Sequence, residues 1–317
     1  MNKFYTWPNS SLPFRLYLDH PNCRVFILHN LTHNYDWLEQ VKDKIKPTDF
    51  FYVTLAWYFS KHLATHASDM FNELNLNKDQ FYIMYNDLDE QVNGNRFGFN
   101  GDIINHNAWL DENKYTINLS VEKIYDAVYI ARRSTMKRHY LANRIENLAL
   151  VAGGINHKNK ICDIPECKND PGKFLDVTDV YNIINQSRVG LCLSEMEGAC
   201  WSSGEYLLCG IPVVSTHSRG GRVIWYNIDN SLIVEDTPDA VASGVRQVIN
   251  RQFSPDIIRQ DHIDKQVFFR DKFKRHLFET LTVCNATIDV DTYFTDNFID
   301  KMYTSMNNKD IINIFTS

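Results

Sequence analysis

At 317 residues the chain is too long for one ordinary domain and comfortable for two. Hydrophobic residues make up 44%, enough for real cores, and 23% charged residues is ordinary for a protein folded in water. The formal net charge of −6 argues against a general nucleic-acid binder, which is usually basic, while leaving room for a local patch that grips phosphate.

The opening stretch MNKFYTWPNSS has no apolar core of signal-peptide length, and no run of 18 apolar residues occurs anywhere. Neither a leader nor a membrane span is expected, and peripheral membrane contact stays open. Residues 24 to 29 (RVFILH) predict a buried strand. A helix is expected over 35 to 45, closed by Pro47. DFFYVTLAW (49 to 57) predicts a second strand, 59 to 74 a helix, and FYIMYND (81 to 87) a third strand. Strands alternating with helices imply a parallel sheet covered by helices. The Asn- and Gly-rich VNGNRFGFNGD reads as a loop.

A polar stretch, LDENKYTINLSVEK, marks the domain break between Trp109 and Lys123. The expected division is a first Rossmann-like domain over 1 to 118, a second over 119 to 285, and a helical segment over 286 to 317 that packs back on the first. In the second domain YDAVYIA (125 to 131) is a strand, a helix is expected from Lys137 to Asn147, and ALVAGG is a strand. His157 to Gly172 reads as a surface loop, and Asp179 to Gln186 as a helix. RVGLCLS, IPVVST and SLIVED are further strands, with Gly204 to Cys209 in a helix. Thr237-Pro238-Asp239 is a helix start, with a hydroxyl cap, proline at the first position and an acid near the positive end. Ser254-Pro255-Asp256 repeats the device, and the last 60 or so residues read as mostly helical.

The seven cysteines are odd in number, and several sit in apolar runs, so they read as reduced core thiols of a cytosolic protein. Cys162 and Cys167 form a C-x4-C pair without a second pair at metal spacing, which favours plain loop cysteines over zinc. Gly153 and Gly154 lack the G-x-G-x-x-G spacing and read as a turn.

Chemistry concentrates in SEMEGACWSSGEYLLCGIPVVST, residues 194 to 216. Glu197 follows a buried strand at its C-terminal end, where open α/β sheets bind ligands, and Glu205 falls about two turns on. Gly198 lets the backbone turn closely, and free amides at a helix start favour phosphate. One loop can thus offer a carboxylate to sugar hydroxyls, amides to phosphate and a second carboxylate to ribose. Glu195 is an alternative to Glu197, and Trp201 reads equally as a stacking or a packing residue. His106 near the domain junction and His29 at the end of the first strand are candidate cleft residues, each with a structural alternative.

This segment resembles the retaining GT-B glycosyltransferases called family 4, or glycosyl transferases group 1. Ser194, Glu197, Gly198, Glu205, Cys209, Gly210, Pro212, Val213 and Val214 fit that family's signature position by position, and Gly220 with Gly221 fits its later Gly-Gly pair. Upstream, Arg132 and Lys137 fit the arginine after the first donor-domain strand and the lysine five residues later. The chain departs from the family at Ala131 and Arg138, where glycines are usual. It departs again at Ala199 and Cys200, where an aromatic residue and a glycine are usual, and at Arg222, where a smaller or acidic residue is common.

The resemblance covers about residues 103 to 250. It implies a GT-B fold, two Rossmann-like domains with a cleft between them, the first an acceptor domain short for the family and the second a donor domain. It implies a cytoplasmic transferase that moves a sugar from a nucleotide diphosphate, UDP first, to a glycan, lipid-linked or protein hydroxyl, as in polysaccharide biosynthesis. Retention without an enzyme nucleophile, metal or further cofactor is expected. Glu197, Arg132 and Lys137 would be catalytic. Ser194, Gly198, Ala199, Cys200, Glu205, Arg133, Gly220 and Gly221 would hold the donor. A catalytically silent relative that binds a glycan or a protein is the alternative, argued against by both carboxylates and both cations being present. An epimerase or phosphorylase of the same fold is a third reading. The chain shows no pyridoxal lysine segment, and phosphorylases are usually much longer.

Overall fold

The computed structural model describes residues 11–152 and 175–316. The chain divides into two compact units, residues 1–109 with 267–317, and residues 110–266. These bounds differ from the expected 118 and 285: the polar stretch from Leu110 joins the second unit, and residues 267 to 285 join the first.

The first unit carries β1 (Ser11–His20), β2 (Cys23–His29), α1 (Tyr35–Val41), β3 (Asp49–Thr54), α2 (Lys61–Leu74), β4 (Phe81–Tyr85), α3 (Leu88–Arg96) and β5 (Gly101–Ile103). The second carries β6 (Tyr125–Ile130), β7 (Leu148–Val151), α4 (Val177–Asn185), β8 (Ser187–Cys192), α5 (Trp201–Leu208), β9 (Val213–Thr216), β10 (Ser231–Val234) and α6 (Pro238–Arg251). The division falls within α7 (Pro255–Val283), and α8 (Val290–Asn297), β11 (Thr304–Asn307) and α9 (Asn308–Thr316) return to the first unit.

Among the described residues the first sheet has the order β11-β1-β2-β3-β4-β5 and the second β10-β9-β8-β6-β7. Strands β2 to β5 are parallel, as are all five of the second sheet. In the first sheet, register sets the core. Phe26 pairs with Phe51 and Phe51 with Phe81, and the rings stack at 5.0 and 4.4 Å between centroids. In the second, Val189, Leu191 and Val214 meet Val241, Val245 and Val248 from one face of α6. Thr237 caps α6 by accepting from the Ala240 amide, with Pro238 in its first turn.

The structure corrects two local expectations. Residues 92 to 96 of the supposed Asn/Gly loop are helical in α3. Asp87 caps that helix by accepting from the Glu90 amide, and Gly94 leaves room for the Tyr85 ring, which an added Cβ would strike. The helix expected from Lys137 to Asn147 is instead two 3-10 turns, Thr135–Lys137 and His139–Ala142. Between them Arg138 adopts a left-handed backbone, φ +48°, which breaks the helix there. Strands β1, β5 and β11 were not expected. β11 is short and exposed, and exists because Ser11 to Phe14 offer it a ladder.

Candidate functional site

The parallel second sheet brings the segments that leave β6, β8 and β9 to one edge, the edge where open α/β sheets bind ligands. The segment after β8 is tied to that after β9. The Glu197 amide donates to the Arg219 carbonyl at 3.0 Å, Arg219 to Glu195 at 3.0 Å, and Gly221 to Gly198 at 2.9 Å. Gly220 has φ +101°, and an added Cβ there would collide with the Glu197 carbonyl oxygen. Glycine is therefore required for the two segments to approach.

On this frame Lys137 Nζ, from the segment after β6, forms an ion pair with Glu197 Oε1. Ser194 Oγ donates to the same oxygen. Arg222, with no exposed surface, donates to Ser194 Oγ at 3.0 Å and to the Thr216 carbonyl at 2.7 Å. Burial pushes the Glu197 carboxyl up, but the Lys137 ammonium, the bonds from Lys137 and Ser194 and the Arg222 charge outweigh it, so the group sits below its ordinary value and is ionised at neutral pH. Glu195 is exposed, so Glu197 is the acid built into the network.

Arg132 is exposed on the segment leaving β6. Arg133 is half-buried and donates to the Ala152 carbonyl at 3.0 Å. Arg138 spans three segments, donating to the Leu193 carbonyl at 2.6 Å, to Thr216 Oγ1 at 2.8 Å and to Asp236 at 2.6 Å. Glu205, on α5 and 8% exposed, accepts from the Tyr115 hydroxyl at 3.0 Å. Gly198 and Ala199 are buried, and Cys200 ends the loop in a left-handed conformation at the N-cap of α5. Tyr206 ties α5 to the sheet by accepting from the Ile130 amide at 2.8 Å.

In the first unit His29 and His106 lie with ring centroids 5.0 Å apart, and Tyr303 stands 5.1 Å from the His29 ring. Both are buried. Burial and the His106 neighbour hold the His29 imidazole well below its ordinary value, and burial with the Lys301 charge lowers His106 to about 3. Both rings are neutral at physiological pH, and His29 Nδ1 meets Thr54 Oγ1 at 2.7 Å. Nearby Glu90 accepts from the Asn86 and Phe59 amides at 2.6 and 3.0 Å, and burial pushes its carboxyl up to about 8 despite them. Gly153, Gly154, Cys162 and Cys167 lie outside the described residues. Among the described residues no group of three or more His, Cys, Asp or Glu is placed to hold a metal, and no helix is long and apolar enough to cross a membrane.

Arg138 and Arg222, which stand out in the sequence only as departures from a family pattern, are ties within the candidate site. Tyr115 was missed. Tyr115 and Glu205 are 90 residues apart, and nothing local to either announces the bond.

No protein-family model matches the chain, and no curated protein matches it by sequence. Solved structures do match. Sucrose-phosphate synthase from Thermosynechococcus elongatus is 12% identical with a TM-score of 0.57, over 80% of this chain and 74% of that one. HepE from Anabaena, solved with UDP, is 14% identical with a TM-score of 0.57, over 80% and 78%. A glycosyltransferase from Rickettsia africae is 13% identical with a TM-score of 0.55, over 82% and 77%. These neighbours are glycosyltransferases of GT-B type, and the fold of this chain is theirs: α/β, with two Rossmann-like domains.

Proposed function

We propose that the protein is a glycosyltransferase that uses a nucleotide-diphosphate sugar, with UDP as the nucleotide, and transfers the sugar with retention and without metal, as in family 4. The observation that carries the reading is the run of bonds Arg222–Ser194–Glu197–Lys137 at the ligand-binding edge of the second sheet. The bonds from Lys137 and Ser194 both fall on Glu197 Oε1, so Oε2 is the oxygen we assign to the donor sugar's hydroxyls. Glu205 is assigned to the ribose.

As the glycosidic bond breaks, the nucleoside diphosphate gains negative charge. Lys137 and Arg132 oppose it, and one such preorganised group contributes about 3 kcal/mol to the barrier. The acceptor hydroxyl attacks from the face the diphosphate leaves, and a phosphate oxygen of the donor takes its proton. An ionised Glu197 is suited to accept hydrogen bonds and not to act as a general acid. The bound UDP of the Anabaena structure supports the nucleotide assignment by fold likeness.

Melting curves with UDP, GDP, ADP and CMP test the donor. A ligand at 100 times its Kd stabilises the fold by about 2.7 kcal/mol, and UDP is expected to raise Tm most. Calorimetry on Arg132→Ala with Lys137→Ala should show UDP affinity reduced by at least tenfold. Transfer from UDP-sugars in excess chelator, with the product anomer read by NMR, tests retention and metal independence. No nucleotide raising Tm overturns the reading, and UDP binding without transfer points to a silent binding module.

A further inference from the structure

The loop between β8 and α5 holds two thiols. Cys192 ends β8, buried, and is fixed by pairing with Ser215 of β9. Cys200 is half-buried at the N-cap of α5, with φ +58°. Their sulfurs lie 3.9 Å apart, so the side chains face each other across the loop that carries Ser194, Glu197 and Gly198. The other described cysteines, Cys23, Cys209 and Cys284, are outside this loop.

We propose that Cys192 and Cys200 are a peroxide-oxidisable pair whose disulfide pulls the Glu197 loop out of its donor-binding shape. This rests on the donor reading above for its functional consequence but not for its chemistry. The Cys200 thiolate attacks hydrogen peroxide. A sulfur–oxygen bond forms, the oxygen–oxygen bond breaks, and hydroxide leaves to become water, with sulfur oxidised to the sulfenic acid and peroxide reduced. Cys192 then attacks the Cys200 sulfur and gives up its proton, the sulfur–sulfur bond forms, and the sulfenic oxygen departs as a second water. Cys200 suits the first role. The sulfur–sulfur contact with Cys192 draws its thiol down to about 7 against burial and the Glu197 charge, helped by Arg222 and Lys137. Cys192, raised by burial, suits the second.

A bonded pair needs its sulfurs at about 2 Å, so the two must approach by roughly that distance. The β8–β9 ladder holds Cys192, so the approach is made on the Cys200 side, by its side chain and the loop that carries it. Glu197, bonded to Lys137, and Gly198, bonded to Gly221, lie between the two cysteines, and the proposed loop displacement would disturb both contacts.

The full chain is treated with hydrogen peroxide at pH 7.5 or so, near the lowered thiol value. Cleavage at Arg188, Glu195, Glu197 and Glu205 under non-reducing conditions places Cys192, Cys200 and Cys209 on different peptides and parts Cys192 from Cys167. We expect the Cys192 and Cys200 peptides to be joined, UDP affinity to fall at least tenfold, and dithiothreitol to restore both. In Cys192→Ala the joined peptide is absent, and dimedone labels Cys200 as the trapped sulfenic acid. Oxidised wild type with no Cys192–Cys200 link, or Cys192→Ala without a dimedone adduct at Cys200, overturns the proposal. A link that forms with UDP affinity unchanged overturns the coupling to the loop. If the reduced protein binds no UDP, the donor reading has failed. Hydrogen exchange of residues 194 to 200 then decides the coupling, supporting it if protection changes on oxidation and refuting it if not.

Discussion

Lys137 and Glu197 form an ion pair across 60 residues of sequence, one from the segment leaving β6 and the other from the segment leaving β8. Their exposures are 18% and 13%, so water screens the pair only in part and neither group tolerates losing the other. Glu197→Gln should reduce kcat/KM by on the order of 100-fold with circular dichroism unchanged. The double change with Lys137→Met should cost less than the sum of the two singles, because each single removes the same contact. Additive losses in a steady-state cycle would separate the two residues.

Arg222 is fully buried and serves two acceptors, Ser194 Oγ and the Thr216 carbonyl. Arg222→Met keeps the bulk but leaves both without that donor. The expected loss is about 2–4 kcal/mol, read as a lower urea midpoint. Glu197 also loses a stabilising charge, so its carboxyl should titrate higher. An unmoved midpoint would mean that Arg222 is not the tie described.

Gly220→Ala tests the approach of the two loop segments. The left-handed φ and the Glu197 carbonyl both oppose a side chain there. About 1–3 kcal/mol of strain is expected, with UDP affinity reduced as the Glu197 loop backs away. Wild-type Tm together with wild-type UDP binding would refute it.

Glu90 makes stability depend on pH in the first unit. Its folded carboxyl titrates at about 8, above an ordinary glutamate, so between the two values the folded state holds a proton that the unfolded state has lost. Stability from this group is therefore full in acid and falls as pH rises toward 8. His29, His33 and His106 act in the opposite sense, because their folded values are lowered and protonation below the ordinary histidine value favours unfolding. The readout is thus a difference: Tm of wild type minus Tm of Glu90→Gln should shrink from pH 5 to pH 8. A difference that stays flat would show Glu90 ionised in the fold.

The chain's own order of residues determined the parallel cores and brought the candidate residues to one sheet edge. Apolar runs such as RVFILH and RVGLCLS bury both faces of a strand, a one-dimensional signal. Glu197 and Glu205 are likewise placed by their distance from β8, and Thr237 and Ser254 by cap chemistry that acts within one turn. Beyond that reach, three-dimensional neighbours took over. The helix expected after Lys137 gave way because Arg138 finds Leu193, Thr216 and Asp236, partners 55 to 98 residues away that compensate a left-handed backbone. β11 has little strand propensity of its own and forms against β1, almost 300 residues earlier. Arg222 beneath Ser194, Tyr115 on Glu205 and Cys192 facing Cys200 are decided the same way, since only packing brings those polar atoms within bonding distance.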